Sequence, residues 1–395
     1  MLLDFNFASI PHIIFGAGKL NEIYDLIPNF GNNVLYVIGG SSLKNSGKWD
    51  EIESTMQKNN IPFSSISVYG EPTPRFVDEA VNKFRNHNID VIVGIGGGSV
   101  IDAGKAISAM LTKKNSIKDF LEGVGNKTHD GKKIPYIAVP TTSGTGSEVT
   151  KNTVISEVGI EGFKKSLRHD NLIPNYAVID PKLVISCPKS VSSSCGMDAF
   201  TQLLEGYVSP KSNLITNTFA MSGIKKMKDA IIPVCNEKGL DINLRSAMAY
   251  GALLSGIVLA NAGLGIVHGF ASSIGGLFEI PHGVVCGTLL AESTKANIKR
   301  LEELGSEVEN YLLKYALVGA LIDGRKCFED IDISHYCSIL VDVLDNWTKK
   351  LNIDRLGQYG ITSTDVDSII DKTSLKNNPV QLRREDLHEI LTNRI

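Results

Sequence analysis

The chain has 395 residues, enough for two domains and a large core. An apolar share of 43% and a charged share of 21% mark an ordinary globular protein, and a net charge of −3 offers no strong pull toward nucleic acid or an anionic membrane surface. The opening stretch MLLDFNFASIPHIIFGAGKL carries Asp4 and no basic leader, so no secretory signal is read. Polar residues or glycine interrupt every long apolar run, so no membrane span is read and a cytoplasmic location is expected. The six cysteines form no CxxC pair and no framework, which fits free thiols in a reducing compartment.

From residue 34 to about 185, strand-like apolar runs alternate with helical patterns. Strands are expected at VLYVI (34–38), SSISVYG (64–70), VIVGI (91–95), YIAVP (136–140) and YAVID (176–180), with helices over 47–59, 75–87 and 100–113. This alternation predicts a mostly parallel sheet covered on both faces. Asp180-Pro181 ends the last strand, and Cys187-Pro188 marks a hinge. Beyond 190, helical periodicity takes over at 191–208, 212–231, 243–258, 264–278 and 284–298. It continues through NYLLKYALVGALI, YCSILVDVLDNWTKKL and REDLHEILTNRI, with no clear strand. The expected fold is an α/β domain over 1–187 and an all-helical domain over 188–395, with the active cleft between them.

Three loops follow strands in the first part. IDVIVGIGGGSVIDAGKAI reads as strand, glycine loop, helix, in which Gly96, Gly97 and Gly98 let backbone N–H groups approach a phosphate. Ser99 is placed to cap the helix, with Asp102 as its partner three residues on, and the helix N-terminus favours an anion. A glycine string alone also serves tight turns; its place between strand and helix is what favours a nucleotide. PTTSGTGSEVT sets Thr141, Thr142, Ser143, Thr145 and Ser147 at a second strand end, where short polar side chains line ligand sites more often than they merely face water. The third loop, Gly39-Gly40-Ser41-Ser42 with Lys44 close by, lacks the acid with which dinucleotide enzymes often hold the adenosine ribose. It is either an ordinary turn or a seat for a 2′-phosphate.

In the helical part, Asp198 and Gln202 are four apart in GMDAFTQLLE and share one helix face. His268 lies in VHGF and His282 in PHG, each flanked by glycine, which permits close packing around a ligand. A carboxylate and two imidazoles suit Zn²⁺ or Fe²⁺ and leave a position open for substrate. Cys195, near Asp198, is a further ligand candidate, although a thiol without function is the plainer reading. His12, His87, His129, His335 and His388 have no partners in the sequence, and His169, after KKSLR, is left open. A nucleotide loop plus a metal set points to redox or elimination chemistry on a small polar molecule.

FGAGKL (15–20), GGGSVIDAGKA (96–106), PTTSGTGSEVT (140–150), VIDP (178–181), GMDAFTQLLEGY (196–207), VHGF (267–270) and PHG (281–283) together resemble the iron-containing (group III) alcohol dehydrogenase family over nearly the whole chain. The resemblance implies an α/β dinucleotide-binding domain plus an all-α C-terminal domain, the architecture shared with dehydroquinate synthases, often in a homodimer. It also implies reversible alcohol–aldehyde or alcohol–ketone interconversion of a small substrate. Asp198, His268 and His282 match three metal ligands of the family and carry its catalysis. Gln202 stands where the family has a fourth, histidine ligand, and either completes the site or orients substrate; Ser272 replaces a further cleft histidine. Related glycerol dehydrogenases look like they manage with one Asp and two His around zinc, so zinc is favoured over iron. The cofactor set is Gly39, Gly40, Ser41, Ser42, Thr73, Gly96, Gly97, Gly98, Ser99, Asp102, Thr141, Thr142, Thr145, Asn152, Lys164 and Leu183. The GGSS turn resembles the NADP-using branch, which favours NADP over NAD. One rival is a metal-dependent lyase or cyclase of the dehydroquinate synthase type; the other is a silent nucleotide-binding protein whose metal site has decayed at Gln202. VHGF, PHG and the joint presence of Asp198, His268 and His282 favour the dehydrogenase.

Overall fold

The computed structural model describes residues 4–236 and 239–395. The chain divides into two compact units, an α/β unit of Ala8–Glu157 and Lys164–Cys187 and a helical unit of residues 4–7, Val158–Phe163 and Pro188–Ile395.

The α/β unit runs β1 (His12–Phe15), α1 (Ile23–Leu26), β2 (Val34–Gly39), α2 (Ser42–Asn45), α3 (Lys48–Lys58), β3 (Phe63–Val68), α4 (Pro74–Phe84), β4 (Val91–Gly96), α5 (Gly98–Met110), β5 (Tyr136–Pro140), β6 (Asn152–Glu157), β7 (Phe163–Arg168) and β8 (Tyr176–Ile179). Six strands pair in parallel in the order β1-β8-β5-β4-β2-β3. VLYVI, VIVGI and YIAVP are continuous apolar runs because both sheet faces are covered. Trp49, Ile52 and Met56 pack with Tyr36 and Ile38 on one face, and Ala80, Phe84, Ile101 and Ile107 pack with Leu35 and Val37 on the other. Thr73 starts α4 by accepting from the Phe76 N–H at 3.1 Å, with Pro74 in the first turn, where a missing N–H costs nothing.

Register places Ile38 beside Ile95 and Gly96 beside Pro140, so the carboxyl ends of β2, β4 and β5 share one edge. From β2 the chain crosses to β3 on one side; from β4 it crosses to β5 on the other. The direction of winding therefore reverses between β2 and β4. At such a reversal the connections splay apart and leave a crevice outside the carboxyl ends.

The five expected strands are present. The sequence reading missed β1, a four-residue strand, and the β6–β7 ribbon, in which NTVISE and FKKSLR carry polar residues along most of their length. The expected cap of α5 is corrected. Gly97 is the cap residue and no side chain caps this end, because the helix begins at Gly98 and takes Ser99 into its first turn.

The helical unit contains α6 (Lys189–Val208), α7 (Leu214–Met227), α8 (Ile231–Val234), α9 (Ile242–Ala262), α10 (Ile266–Leu277), α11 (His282–Leu304), α12 (Glu309–Ile322), α13 (Ile333–Lys350), α14 (Val366–Lys372) and α15 (Arg384–Thr392). Helix α6 is buried nearly all round from Gly196 to Val208 and packs against α7, α9 and α11. Such a helix needs no polar face. Against the sequence reading, α9 is long and apolar enough to cross a membrane by length and composition: its alanines, leucines and valines outweigh the interrupting polar residues. In the fold, 61% of that window is buried, against α6 and α7 among others.

Candidate metal centre and cofactor-binding edge

Helix α6 supplies Asp198, Gln202 and Glu205, whose spacing of four and three keeps them on one face. Helix α10 supplies His268, and α11 supplies His282 as its first residue and Cys286 one turn later. One ligand atom from each of Asp198, His268, His282 and Cys286 lies within 4.8 Å of all the others. Asp198 Oδ1 is 3.3 Å from His268 Nε2 and 3.7 Å from His282 Nε2, and Cys286 Sγ is 3.7 Å from both imidazole nitrogens. Asp198, His268 and Cys286 are buried, whereas the His282 side chain is 25% exposed, so the cage opens on the His282 side.

Glu205 was not anticipated. Its Oε2 accepts from His268 Nδ1 at 2.7 Å while Oε1 accepts from the Val267 N–H at 2.7 Å. With the Nδ1 proton directed at Glu205, His268 turns the lone pair of Nε2 toward Asp198. A lone pair and a carboxylate oxygen at 3.3 Å repel unless a proton or a cation lies between them. A carboxylate, two imidazoles and a thiol converging in this way fit a divalent ion. Burial pushes the Asp198 carboxyl up, but His282 and His268 outweigh it and hold it below its ordinary value. Burial pushes the Cys286 thiol up to about 12.

Gln202 sits beside the cage. Its Nε2 donates to Asp198 Oδ1 at 3.2 Å, and Ser255 Oγ donates to its Oε1 at 2.8 Å. Cys195 is not among the converging residues; the sulfur that joins the cage is Cys286. The interval of four between His282 and Cys286 was the available signal. Ser272 Oγ donates to the His268 carbonyl at 2.8 Å and accepts from Lys376 Nζ at 3.0 Å, so a serine–lysine pair stands where the resemblance has a histidine. His169, left open in the sequence, has a local partner: its Nδ1 accepts from the Asn171 N–H at 3.1 Å.

In the α/β unit, Gly39 ends β2 and Gly40 follows it, and the exposed Ser41 and Ser42 begin α2 as its cap and first residue. Gly96, Gly97, Gly98 and Ser99 join β4 to α5, and Thr141, Thr142 and Thr145 follow β5. These last two loops are pressed together: a Cβ on Gly98 would lie 2.6 Å from Thr145 Cγ2, and one on Gly97 would lie 3.3 Å from Thr142 Cγ2. The glycines are thus needed for close approach, and no side chain caps the N-terminus of α5.

Four of the expected cofactor residues have partners within the protein. Asp102 Oδ1 accepts from Ser147 Oγ at 2.5 Å and pairs with the fully buried Lys105 at 3.3 Å. Lys105 in turn donates to the carbonyls of Ser147 and Asn152, fastening the threonine loop from beneath. Lys164 bonds Glu71, and Leu183 packs against the sheet core. Thr73 is the α4 cap, at the carboxyl end of β3.

Residues 11–181 match the family model described as iron-containing alcohol dehydrogenase, and residues 192–395 match that for the C-terminal part of the same family. The chain belongs to the iron-containing alcohol dehydrogenase family, oxidoreductases that act on CH–OH groups with NAD(P). Long-chain-alcohol dehydrogenase 1 of Geobacillus thermodenitrificans (strain NG80-2) is 29% identical over 395 residues, covering 97% of this chain and 94% of its own. An NADPH-dependent butanol dehydrogenase of Clostridium saccharobutylicum is 28% identical over 390 residues, covering 96% and 95%. The crystal structure of an archaeal halo-thermophilic alcohol dehydrogenase from a Red Sea brine pool shares the fold, with a TM-score of 0.89 over 100% of both chains at 24% identity.

Proposed function

We propose that the chain interconverts a small aliphatic alcohol and its aldehyde with NADP in preference to NAD, using zinc held by Asp198, His268 and His282. The carrying observation is the convergence of these three acceptor groups on one point, with Glu205 fixing His268. When bound, the ion supplies Lewis acidity toward the substrate oxygen, and the nicotinamide takes or returns the hydride. Alcohol and NADP⁺ become aldehyde, NADPH and a proton. The chain's own work is positional. Glu205 and Gln202 orient His268 and Asp198, the N–H groups at the start of α5 receive the pyrophosphate, and Thr141, Thr142 and Thr145 offer hydroxyls beside it.

NADP preference rests on the Gly39-Gly40-Ser41-Ser42 turn, which presents two exposed hydroxyls and no carboxylate. An aliphatic substrate is supported by the relatives named for butanol and long-chain alcohols. We further propose a homodimer, as the family resemblance implies, and a cytoplasmic location. The test is a screen of short and long aliphatic aldehydes with NADPH and NADH on protein purified without chelator. Loss of reduced-cofactor absorbance with at least one aldehyde, faster with NADPH, is expected. Absence of turnover in metal-replete protein, or full activity in metal-free protein, overturns the reading.

A further inference from the structure

The cage holds a sulfur where the matching motifs supplied only Asp198, His268 and His282, and the residue at the expected fourth position, Gln202, is turned away from a ligand's role. Asp198 Oδ1 only accepts hydrogen bonds, so the amide atom facing it at 3.2 Å is the Nε2 donor. The amide oxygen, the only atom of Gln202 that coordinates a cation, is turned toward Ser255 Oγ at 2.8 Å. Cys286 differs on both counts. Its side chain is on the same face of α11 as His282, and its Sγ is equidistant, at 3.7 Å, from both imidazole nitrogens.

Distances decide the geometry. With Zn–N near 2.05 Å, Zn–O near 2.1 Å and Zn–S near 2.3 Å, a tetrahedral centre has edges of about 3.4 Å between N and O and about 3.6 Å between N and S. The two N···O edges here are 3.3 and 3.7 Å, and both N···S edges are 3.7 Å. These four of the six edges match a tetrahedral zinc centre to within a few tenths of an ångström, and all four donor atoms lie within 4.8 Å of one another.

We propose that Cys286 is the fourth protein ligand of the metal and that Gln202 acts as a hydrogen-bond donor orienting Asp198, making the site a two-nitrogen, one-oxygen, one-sulfur centre that selects zinc over iron. This rests on the metal-dependent reading above. A soft thiolate shifts preference toward zinc, and two anionic donors, Asp198 and Cys286, balance a divalent charge in a buried site. Gln202 then has the supporting role toward Asp198 that Glu205 has toward His268, orienting a ligand without being one. Zinc accommodates a fifth ligand, so four protein donors still leave room for substrate.

The experiment replaces the native metal with Co²⁺ and reads the optical spectrum of the full chain, beside Zn²⁺ affinity by competition with a chromophoric chelator. Wild type is expected to show a thiolate-to-cobalt charge-transfer band. Cys286→Ser and Cys286→Ala both lose that band. They also lose Zn²⁺ affinity by more than the ~10–100-fold that removal of an orienting partner costs. Gln202→Leu keeps the band. Unfolding midpoints of the metal-free variants show that the fold survives. One equivalent of Co²⁺ bound by wild type without a thiolate band overturns the proposal while leaving a metal-dependent dehydrogenase intact. A band that disappears in Gln202→Leu but persists in Cys286→Ala overturns it as well. Absence of metal binding together with full alcohol turnover overturns the metal-dependent reading itself, and this inference with it.

Discussion

The carboxyl edge of the α/β sheet and the cage of the helical unit are built on opposite principles. The edge is made by what is missing. Gly97 and Gly98 have no Cβ, Thr142 and Thr145 occupy the space that a Cβ would take, and the groups proposed to bind the cofactor are backbone N–H groups at the start of α5. The cage is made by what is present: a carboxylate, two imidazoles and a thiol brought from three helices, with Glu205 and Gln202 fixing their orientation. A backbone-built site is therefore spoiled by adding atoms, and a side-chain-built site by removing them. Backbone amides recognise an anion whatever the surrounding sequence, whereas the cage depends on the chemistry of each donor.

The strongest way to break this contrast is His268→Ala. Losing the imidazole should empty the metal site and lower kcat by about a thousandfold, several kcal/mol of transition-state stabilisation. Metal analysis should fall from about one equivalent to near zero, while titration with NADPH fluorescence should still show wild-type cofactor affinity. Cofactor affinity falling in step with the metal would break the separation of the two sites.

Gly98→Ala tests the other side. The new methyl meets Thr145 at 2.6 Å, an overpacking strain of about 1–3 kcal/mol. We expect KM for the dinucleotide to rise by up to roughly a hundredfold with metal content unchanged. A variant with normal cofactor KM would show that the loop yields and that glycine there is not required by the approach.

Glu205→Gln is expected to cost ~10–100-fold in metal affinity or activity, since it weakens the acceptor that holds the His268 Nδ1 proton without removing a ligand. The competing assignment, a purely structural carboxylate that accepts from the Val267 N–H at the start of α10, predicts a lowered unfolding midpoint with unchanged metal affinity.

The smallest effect concerns cofactor choice. Ser41→Asp places a carboxylate in the turn after β2 without pushing a Cβ into the Tyr69 ring, which a side chain on Gly40 would meet at 2.4 Å. Repulsion of a 2′-phosphate should shift the NADPH-to-NADH ratio of kcat/KM by about tenfold toward NADH, near 1.4 kcal/mol. If wild type already prefers NADH, the turn does not read the phosphate.

Legibility in the sequence followed the range of the interactions. Parallel strands buried on both faces must be apolar throughout, so β2, β4 and β5 could be read directly, and a strand followed by glycines and a helix marked the α5 end. The spacing of Asp198 and Gln202 announced a shared helix face. Short or polar strands such as β1, β6 and β7 carry too little periodic signal. The start of α5 was misjudged by two residues because Ser99 and Asp102 look like a cap locally, yet Asp102 is claimed by Ser147 and Lys105.

Residue types and short-range spacing, then, already determined the order of the apolar strands and the long helices, the glycine and threonine loops, and the candidacy of Asp198, His268 and His282. Tertiary structure alone decided that Cys286 and not Cys195 joins them, that Glu205 holds His268, and that Gln202 turns its amide nitrogen to Asp198. Periodicity and capping act within a few residues and leave marks in a single stretch of chain, whereas these contacts link residues as far apart as 63 positions, or depend on a rotamer chosen by a neighbouring helix, and arise only when α6, α9, α10 and α11 pack together.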